Sequence, residues 1–323
     1  MRRAWLCFFI LLPAFPVWGA VDGILLNGTT GKPATGVEIA LVQPGAGGLT
    51  TLGSTVADAE GKFSFTQTPK GPGLLQVSYQ DVTYSKMLIP GAPTTGLAMQ
   101  VYDSSRKAAA KVAQHMILLQ PNGTGVTINE TLIIEGDPKL TYNNPGNGTV
   151  RFYVPPGGKE APRAAVSGAF GVALQQPVHE TKQTGVYRID YPIKPGENRV
   201  DITYSVPQGT PATFAGKILH KEGKARLVVP NGVSLKGAGI IEVGKEPQTQ
   251  ATIYDIQGED YNVEISGQGS LQAAAPEAES GEDNGSPKIE QAAPHVYRQK
   301  YWITGILFAM LGLGAYLLAS KRA

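Results

Sequence analysis

The sequence predicts an all-β protein made of tandem β-sandwich domains, followed by a single transmembrane helix near the C-terminus. Its 40 glycines and 24 prolines separate short segments in which apolar and polar residues alternate, which is typical of many strands joined by tight turns. Apolar residues make up 42% of the chain, too many for a disordered protein. A charge-free stretch, residues 302–319, supplies the helix.

Residues 1–19 have the parts of a secretory signal peptide. Arg2 and Arg3 give the positive start, residues 4–12 form a short apolar run, and small residues precede a cleavage point after Gly19. An uncleaved anchor is the alternative. Cys7, the one cysteine, lies in this segment, so no disulfide and no thiolate metal site is expected in the exported body.

The C-terminal stretch is long enough to cross a bilayer. Its 18 uncharged residues would extend roughly 27 Å as a helix, close to the thickness of the hydrocarbon core. We expect a single-pass helix over residues 301–320. The signal peptide exports the body to the periplasm or extracellular space, so residues 321–323 form a cytoplasmic tail. Residues 271–300, rich in Pro, Ala and Glu, are predicted to be a disordered tether.

The net charge argues against a nucleic-acid partner. The chain has 28 Lys and Arg against 26 Asp and Glu, and without Arg2 and Arg3 the counts are equal. Nucleic-acid grooves need a basic surface that releases counterions.

Apolar and polar residues alternate within residues 20–103, which predicts one β-sandwich domain. Ile39 and Leu41 share one strand face, and Phe63 and Phe65 share another. The segments G-x-x-x-N-x-T-T-G-K-P-A-x-G-V-x-I-x-L (23–41) and D-A-E-G-K-F-S-F (58–65) resemble the carboxypeptidase regulatory-like domain. This resemblance, limited to the N-terminal domain, implies a transthyretin-like β-sandwich that serves as a structural or interaction module without catalytic residues.

Residues 104–220 predict a second sandwich of immunoglobulin-like type. Residues 221–270 predict a small β unit that either shares its core or stands alone. Segments 186–193 and 198–206 look like two strands paired through the turn 194–197. Residues 104–114 have helix-forming composition and predict a short interdomain helix or a loop.

We find no catalytic residues, cofactor site or metal site in the sequence. The four histidines are His115, His179, His220 and His295. His179-Glu180 lacks the second histidine of a zinc-protease helix, and His115 fits a half-buried strand position. The acidic clusters Asp58 with Glu60, and Asp255 with Glu259 and Asp260, fit solvated turns better than calcium sites. Glycines 45–48 and 237–239 lack the flanking residues of a phosphate loop.

Five asparagines begin N-x-S/T triplets: Asn27, Asn122, Asn129, Asn147 and Asn284. In a eukaryotic secretory pathway they would accept glycans, and in a bacterium they would be turn residues. We favour turns, because Asn-Gly is itself a turn signal.

These features predict a membrane-anchored, non-enzymatic interaction or scaffold module for another envelope protein. The alternative is a carbohydrate-binding surface module, in which Tyr79, Tyr84 and Tyr102 would replace the tryptophans that the predicted ectodomain lacks. A third class, an enzyme or enzyme subunit, lacks a recognisable nucleophile, metal set or cofactor loop.

Overall fold

A computed structural model describes residues 20–45, 48–158, 160–168, 173–207, 209, 212–269 and 271. These residues form 24 strands, which confirms the all-β prediction. Within them we found no helix with the length and apolar character needed to cross a bilayer. The predicted signal peptide, transmembrane helix and tail, together with Asn284, His295 and nearly all of the tether, lie outside the described residues.

The N-terminal sandwich has two sheets. Its strands are β1 (Val21–Asn27), β2 (Lys32–Pro33), β3 (Glu38–Gly45), β4 (Gly48–Val56), β5 (Lys62–Phe65), β6 (Gly73–Tyr79), β7 (Val82–Leu88) and β8 (Leu97–Val101). One sheet has the order β2-β1-β5, with β8 parallel to β1, and the other has the order β4-β3-β6-β7. The inward residues of both sheets form one core.

This core follows the predicted alternation. Phe63 and Phe65 are each 3% exposed, and their rings meet edge to face with centroids 6.2 Å apart. Just before them, Asp58 Oδ1 accepts hydrogen bonds from the backbone N–H groups of Glu60 and Lys62 at 3.0 and 2.7 Å. The turn at Asp58 is therefore confirmed.

The rest of the described chain forms a larger sandwich. Its strands are β9 (Ser104–Ser105), β10 (Ala110–Pro121), β11 (Gly125–Gly136), β12 (Thr141–Tyr142), β13 (Val150–Tyr153), β14 (Arg163–Gly168), β15 (Leu174–Gln176), β16 (Val178–Glu180), β17 (Val186–Ile189), β18 (Gly196–Pro207), β19 (Thr213–Lys217), β20 (Lys224–Val229), β21 (Val233–Ala238), β22 (Ile240–Lys245), β23 (Thr252–Ile256) and β24 (Asp260–Gly267). Eight of them form a large sheet in the order β15-β14-β18-β11-β10-β20-β23-β22. Two three-stranded sheets, β13-β17-β16 and β19-β24-β21, contribute to the same core.

Residues 104–220 and 221–270 share this core. Leu132 and Ile202 of the large sheet belong to one buried cluster with Phe152, Phe214 and Val263 of the small sheets. Strands β20, β22 and β23 complete the large sheet, while β21 and β24 complete a small one. The later segment is therefore interleaved with the earlier one.

Two sequence predictions for this region are wrong. Residues 104–114 contain β9, a turn and the start of β10 instead of a helix or a simple loop. Pairing of Ala110 and Val112 with Gly136 and Ile134 outweighs the helical propensity of the segment. Strands β17 and β18 are not paired, because β17 lies in a small sheet and β18 in the large one. Residues 190–195 connect the two sheets, and residues 196 and 197 of the predicted turn begin β18.

Gly61 and Gly31 offer a matched test of the N-terminal turns. Their φ angles are alike, at +76° and +73°, but a Cβ on Gly61 would lie 2.5 Å from the carbonyl oxygen of Leu25, whereas one on Gly31 meets nothing within 4 Å. We expect Gly31→Ala to lower the free energy of unfolding by about 1 kcal/mol through left-handed strain alone. Gly61→Ala should cost about 3 kcal/mol. Urea unfolding measures both, and equal losses would contradict the packing described.

Candidate functional site

Four polar side chains meet inside the larger sandwich, and we call them the histidine network. His115 from β10, Glu130 from β11 and Tyr204 from β18 point inward from adjacent strands of the large sheet, and each is 4% exposed. His220 lies in the connection between β19 and β20 and is half-buried.

Hydrogen bonds join the network end to end. Tyr204 OH donates to Glu130 Oε1, Glu130 Oε2 lies 2.9 Å from His115 Nε2, and His115 Nδ1 lies 3.0 Å from His220 Nε2. His220 Nδ1 lies 2.6 Å from the carbonyl oxygen of Glu222, which can only accept. His220 Nδ1 must therefore carry a proton, and in neutral His220 the Nε2 atom accepts from His115.

Burial controls the charges in this network. It raises the pKa of Tyr204 well above its ordinary value, and the Glu130 carboxylate raises it further, so Tyr204 stays a neutral donor. Burial lowers the pKa of His220, and the nearby His115 lowers it further. Since both ring nitrogens of His115 and of His220 have protein partners, neither histidine has a nitrogen free to act on a substrate. The arrangement holds a proton in place.

His220 also lines a cleft of about 480 Å³. Strands β10 and β11 contribute apolar residues, among them Val112 and Ile134, and the start of β13 contributes the exposed Arg151. Leu219 and Glu222, on either side of His220, complete this part of the wall. The cleft is in the size range of small-molecule sites.

A polar junction connects the N-terminal sandwich to the larger one. Tyr84 of β7 is 5% exposed, and its hydroxyl lies 2.7 Å from Thr141 Oγ1 and donates to the Tyr102 carbonyl at 2.9 Å. Lys194 Nζ lies 5.3 Å and 5.5 Å from the ring centroids of Tyr84 and Tyr191. Burial lowers the pKa of Lys194 to about 8. The junction therefore holds a cation over two aromatic rings.

The three tyrosines that the sequence suggested as a sugar-binding platform make their contacts at or next to this junction. Tyr79 OH donates to Asp103 Oδ1 at 3.0 Å, Tyr84 is buried, and the Tyr102 ring packs against Gly28. They do not form a common exposed aromatic face.

The other candidate residues are dispersed over the fold. His115 is fully buried instead of half-buried, because its two ring nitrogens find partners inside the core. His179 is exposed on β16.

Asp255 and Asp260 lie on β23 and β24 instead of a turn, each in an ion pair with a residue of a neighbouring strand. In the described part of the chain no group of three or more His, Cys, Asp or Glu residues could hold a metal ion.

The asparagine predictions differ in outcome. Asn27 Oδ1 accepts from the backbone N–H groups of Thr29 and Thr30 at 2.8 and 3.1 Å, which confirms a turn there. Its Nδ2, the atom that a glycan would modify, donates to Asp103 Oδ1 at 2.9 Å. Asn129 lies inside β11 and bonds to Gln120 of β10, so the turn prediction is wrong for Asn129.

Sequence reasoning missed the histidine network because its members are distant in the chain. One signal was present: Glu130 occupies an inward position between Ile128 and Leu132, where the alternation calls for an apolar residue. A carboxylate at such a position needs buried partners.

One half of the outward face of the large sheet carries apolar residues on either side of the ion pair between Arg226 and Asp255. We call this patch the apolar half-face, and its members are Met116, Leu118, Val228, Ile241, Val243 and Ile253. Leu118, Val228 and Ile253 are direct cross-strand neighbours on β10, β20 and β23. Exposure reaches 48% for Met116, 57% for Ile241 and 56% for Val243. Of the other four strands, β11, β18 and β14 present mainly Asn, Thr, Ser, Asp and Arg side chains on this side, with Ile133 and Ala165 as exceptions, and β15 presents Gln175.

No family model matches this sequence, and no curated protein matches it. Among solved structures, the M1 zinc metallopeptidase from Deinococcus radiodurans aligns at 13% identity with a TM-score of 0.27. A substrate-bound mutant of the same peptidase gives 13% identity and a TM-score of 0.28. Both alignments cover 48% of this chain and 42% of the peptidase, so the aligned part is less than half of the peptidase's length. Likenesses this remote carry no inference about activity.

Lys194 predicts a pH dependence of stability. Its pKa in the folded protein, about 8, is below the value of 10.5 expected when unfolded, so its contribution is complete above 10.5 and is lost as pH falls through 8. We expect the free energy of unfolding of the wild type, relative to Lys194→Met, to rise by about 1–2 kcal/mol between pH 8 and pH 10. Parallel urea titrations measure this difference. If the difference in unfolding free energy between the two proteins does not change with pH, the Lys194 side chain is solvated and this explanation is wrong.

Proposed function

We propose that this chain is an extracytoplasmic, non-enzymatic interaction module, anchored to a membrane by its C-terminal segment, that binds another envelope protein. The observation that carries this proposal is the apolar half-face. It spans four adjacent strands, so its width is about 15 Å at the usual strand spacing. Contiguous exposed apolar patches with a polar border are typical of protein-binding surfaces.

A face is better suited to this role than the strand edges. The pairing of β4 with β3 shifts register between Leu41 and Val42, and that of β22 with β23 shifts between Glu242 and Gly244. Bulges at sheet edges hinder the addition of another strand. The partner would therefore meet side chains of the large sheet, with the ion pair of Arg226 and Asp255 as a polar contact within the patch.

The histidine network supports a non-enzymatic role. Its two histidines have both ring nitrogens engaged, and its carboxylate is bonded to Tyr204 and His115. A catalytic acid or base must reach a substrate proton within hydrogen-bonding distance, and the buried groups here face one another.

Site-specific photocrosslinking in cells tests the proposal. A photoreactive amino acid is placed at Met116 or Ile241, on the apolar half-face, in the tagged full-length chain. Gln175, exposed on β15 at the polar end of the same sheet, is the matched control. We expect both apolar positions to capture the same envelope protein, identified by mass spectrometry, and position 175 to capture none or at least tenfold less.

A second pair of variants checks that the captured protein is bound through this surface. Met116→Lys should abolish its co-purification, because a charge would be placed in the contact, while Gln175→Lys should leave it unchanged. The proposal fails if no partner is captured at either apolar position, or if all three positions capture proteins equally. Capture of only a second copy of the chain would replace it with self-association.

A further inference from the structure

The histidine network has a fixed capacity for protons. One proton sits on His220 Nδ1, one lies between His220 and His115, and one lies between His115 and Glu130. Two neutral histidines and an ionised glutamate would supply only two of these three. The network therefore holds one additional proton and is neutral overall. That proton can reside on Glu130, His115 or His220 with every hydrogen bond kept.

A further proton has no place in this arrangement. On His220 Nε2 or His115 Nδ1 it would set two N–H groups against each other across the 3.0 Å gap. Between His115 and Glu130 it would set an N–H group against an O–H group across 2.9 Å. Each histidine nitrogen can either donate or accept, but a pair of donors makes no hydrogen bond. Acidification must therefore break a contact.

Of the four residues in the histidine network, His220 is the one that can move away from its hydrogen-bond partners. His115, Glu130 and Tyr204 lie on central strands of the large sheet and are buried, whereas His220 is half-buried on a connection. The bond between His115 and His220 links that connection to the core. Leu219, His220 and Glu222 also form part of the cleft wall, so release of His220 would widen the cleft.

We propose that the bond between His115 and His220 is an acid-operated latch that keeps this cleft narrow at neutral pH. Uptake of one proton more than the network holds at neutral pH, carried by His220, sets two N–H groups against each other, breaks the bond and frees the segment 219–223 to move outward.

The neighbouring charges allow this switch. The titratable groups that face His220 and the rest of the network are His115, Glu130, Tyr153, Tyr204, Glu222 and Tyr261. Burial raises the pKa values of Tyr204 and Tyr261 well above 10, so these two remain neutral in mild acid. Burial and then His115 lower the pKa of His220, while the backbone bond to Glu222 and the charges of Glu222 and Glu130 act in the opposite direction. The switch therefore depends on the histidines and Glu130.

Amide hydrogen exchange of the full-length chain in detergent tests the latch. Released His220 would titrate near 6.5, and the closed state holds its pKa lower. One linked proton then raises the opening constant as pH falls, by about tenfold between pH 7.5 and pH 5.5. We expect peptides that cover residues 218–225, which contain the Ile218 N–H that donates to the Glu259 carbonyl and the start of β20 paired with β10, to lose protection by this factor after correction for intrinsic exchange. Peptides from β18 should keep theirs.

His220→Gln is the decisive variant. A glutamine amide can accept from His115 and donate to the Glu222 carbonyl, but it stays neutral at every pH. Protection of the peptides that cover residues 218–225 should not change with pH in His220→Gln. His179→Gln, at the exposed histidine of β16, should behave as the wild type. Equal opening of the wild type and His220→Gln in acid, or no opening of the wild type, would overturn the proposal.

A measurement on the wild type alone covers the case in which His220→Gln does not fold. Exchange of the imidazole C2 proton, followed by mass spectrometry, gives the pKa of each histidine separately. The exchange rate should rise with pH with a midpoint for His220 below the ordinary histidine range. Titration of His220 at or above about 6.5 would contradict the latch.

Discussion

The middle of the large sheet depends on how one buried carboxylate, that of Glu130, is bonded. Glu130 lies on a central strand at 4% exposure, where an unpaired charge would cost several kcal/mol. It is stable there because His115 and Tyr204, from the two adjacent strands, both bond to it. These three strands must keep their register for the three side chains to meet. The network therefore ties β10, β11 and β18 together beyond their backbone hydrogen bonds.

The two faces of β10, the strand that carries His115, have different surroundings. Inward it presents His115, Ile117 and Leu119 to the core, and outward it presents Met116 and Leu118. Because successive side chains of a strand point to opposite faces, a shift of register by one residue would expose His115 and bury Met116. The pairing of His115 with Glu130 thus also holds the apolar half-face in place. The proposed binding surface and the histidine network are two consequences of one register.

Some of this could be predicted from sequence, and the reasons are local. Phe63 and Phe65 alternate cleanly, and Asp58 with Gly61 marks a tight turn, so the N-terminal core and its turn were predictable. The pairing of distant strands was not, because β10 pairs with β20 across more than a hundred residues. For the same reason β17 and β18 were predicted to pair, although they pack from opposite sheets. The histidine network depends on that long-range pairing. Its one sign in the sequence was Glu130, a carboxylate at a position where the alternation calls for an apolar residue.

A double-mutant cycle between His115 and Glu130 tests this account most directly. The free energy of unfolding is measured for the wild type, His115→Ala, Glu130→Ala and the double variant at pH 7.5. If the pair stabilises the strand register as described, each single variant loses about 3 kcal/mol. The double variant then loses at least ~1.5 kcal/mol less than the two together. Losses that add to within about 0.5 kcal/mol would show that the two side chains act independently, and the account would be wrong.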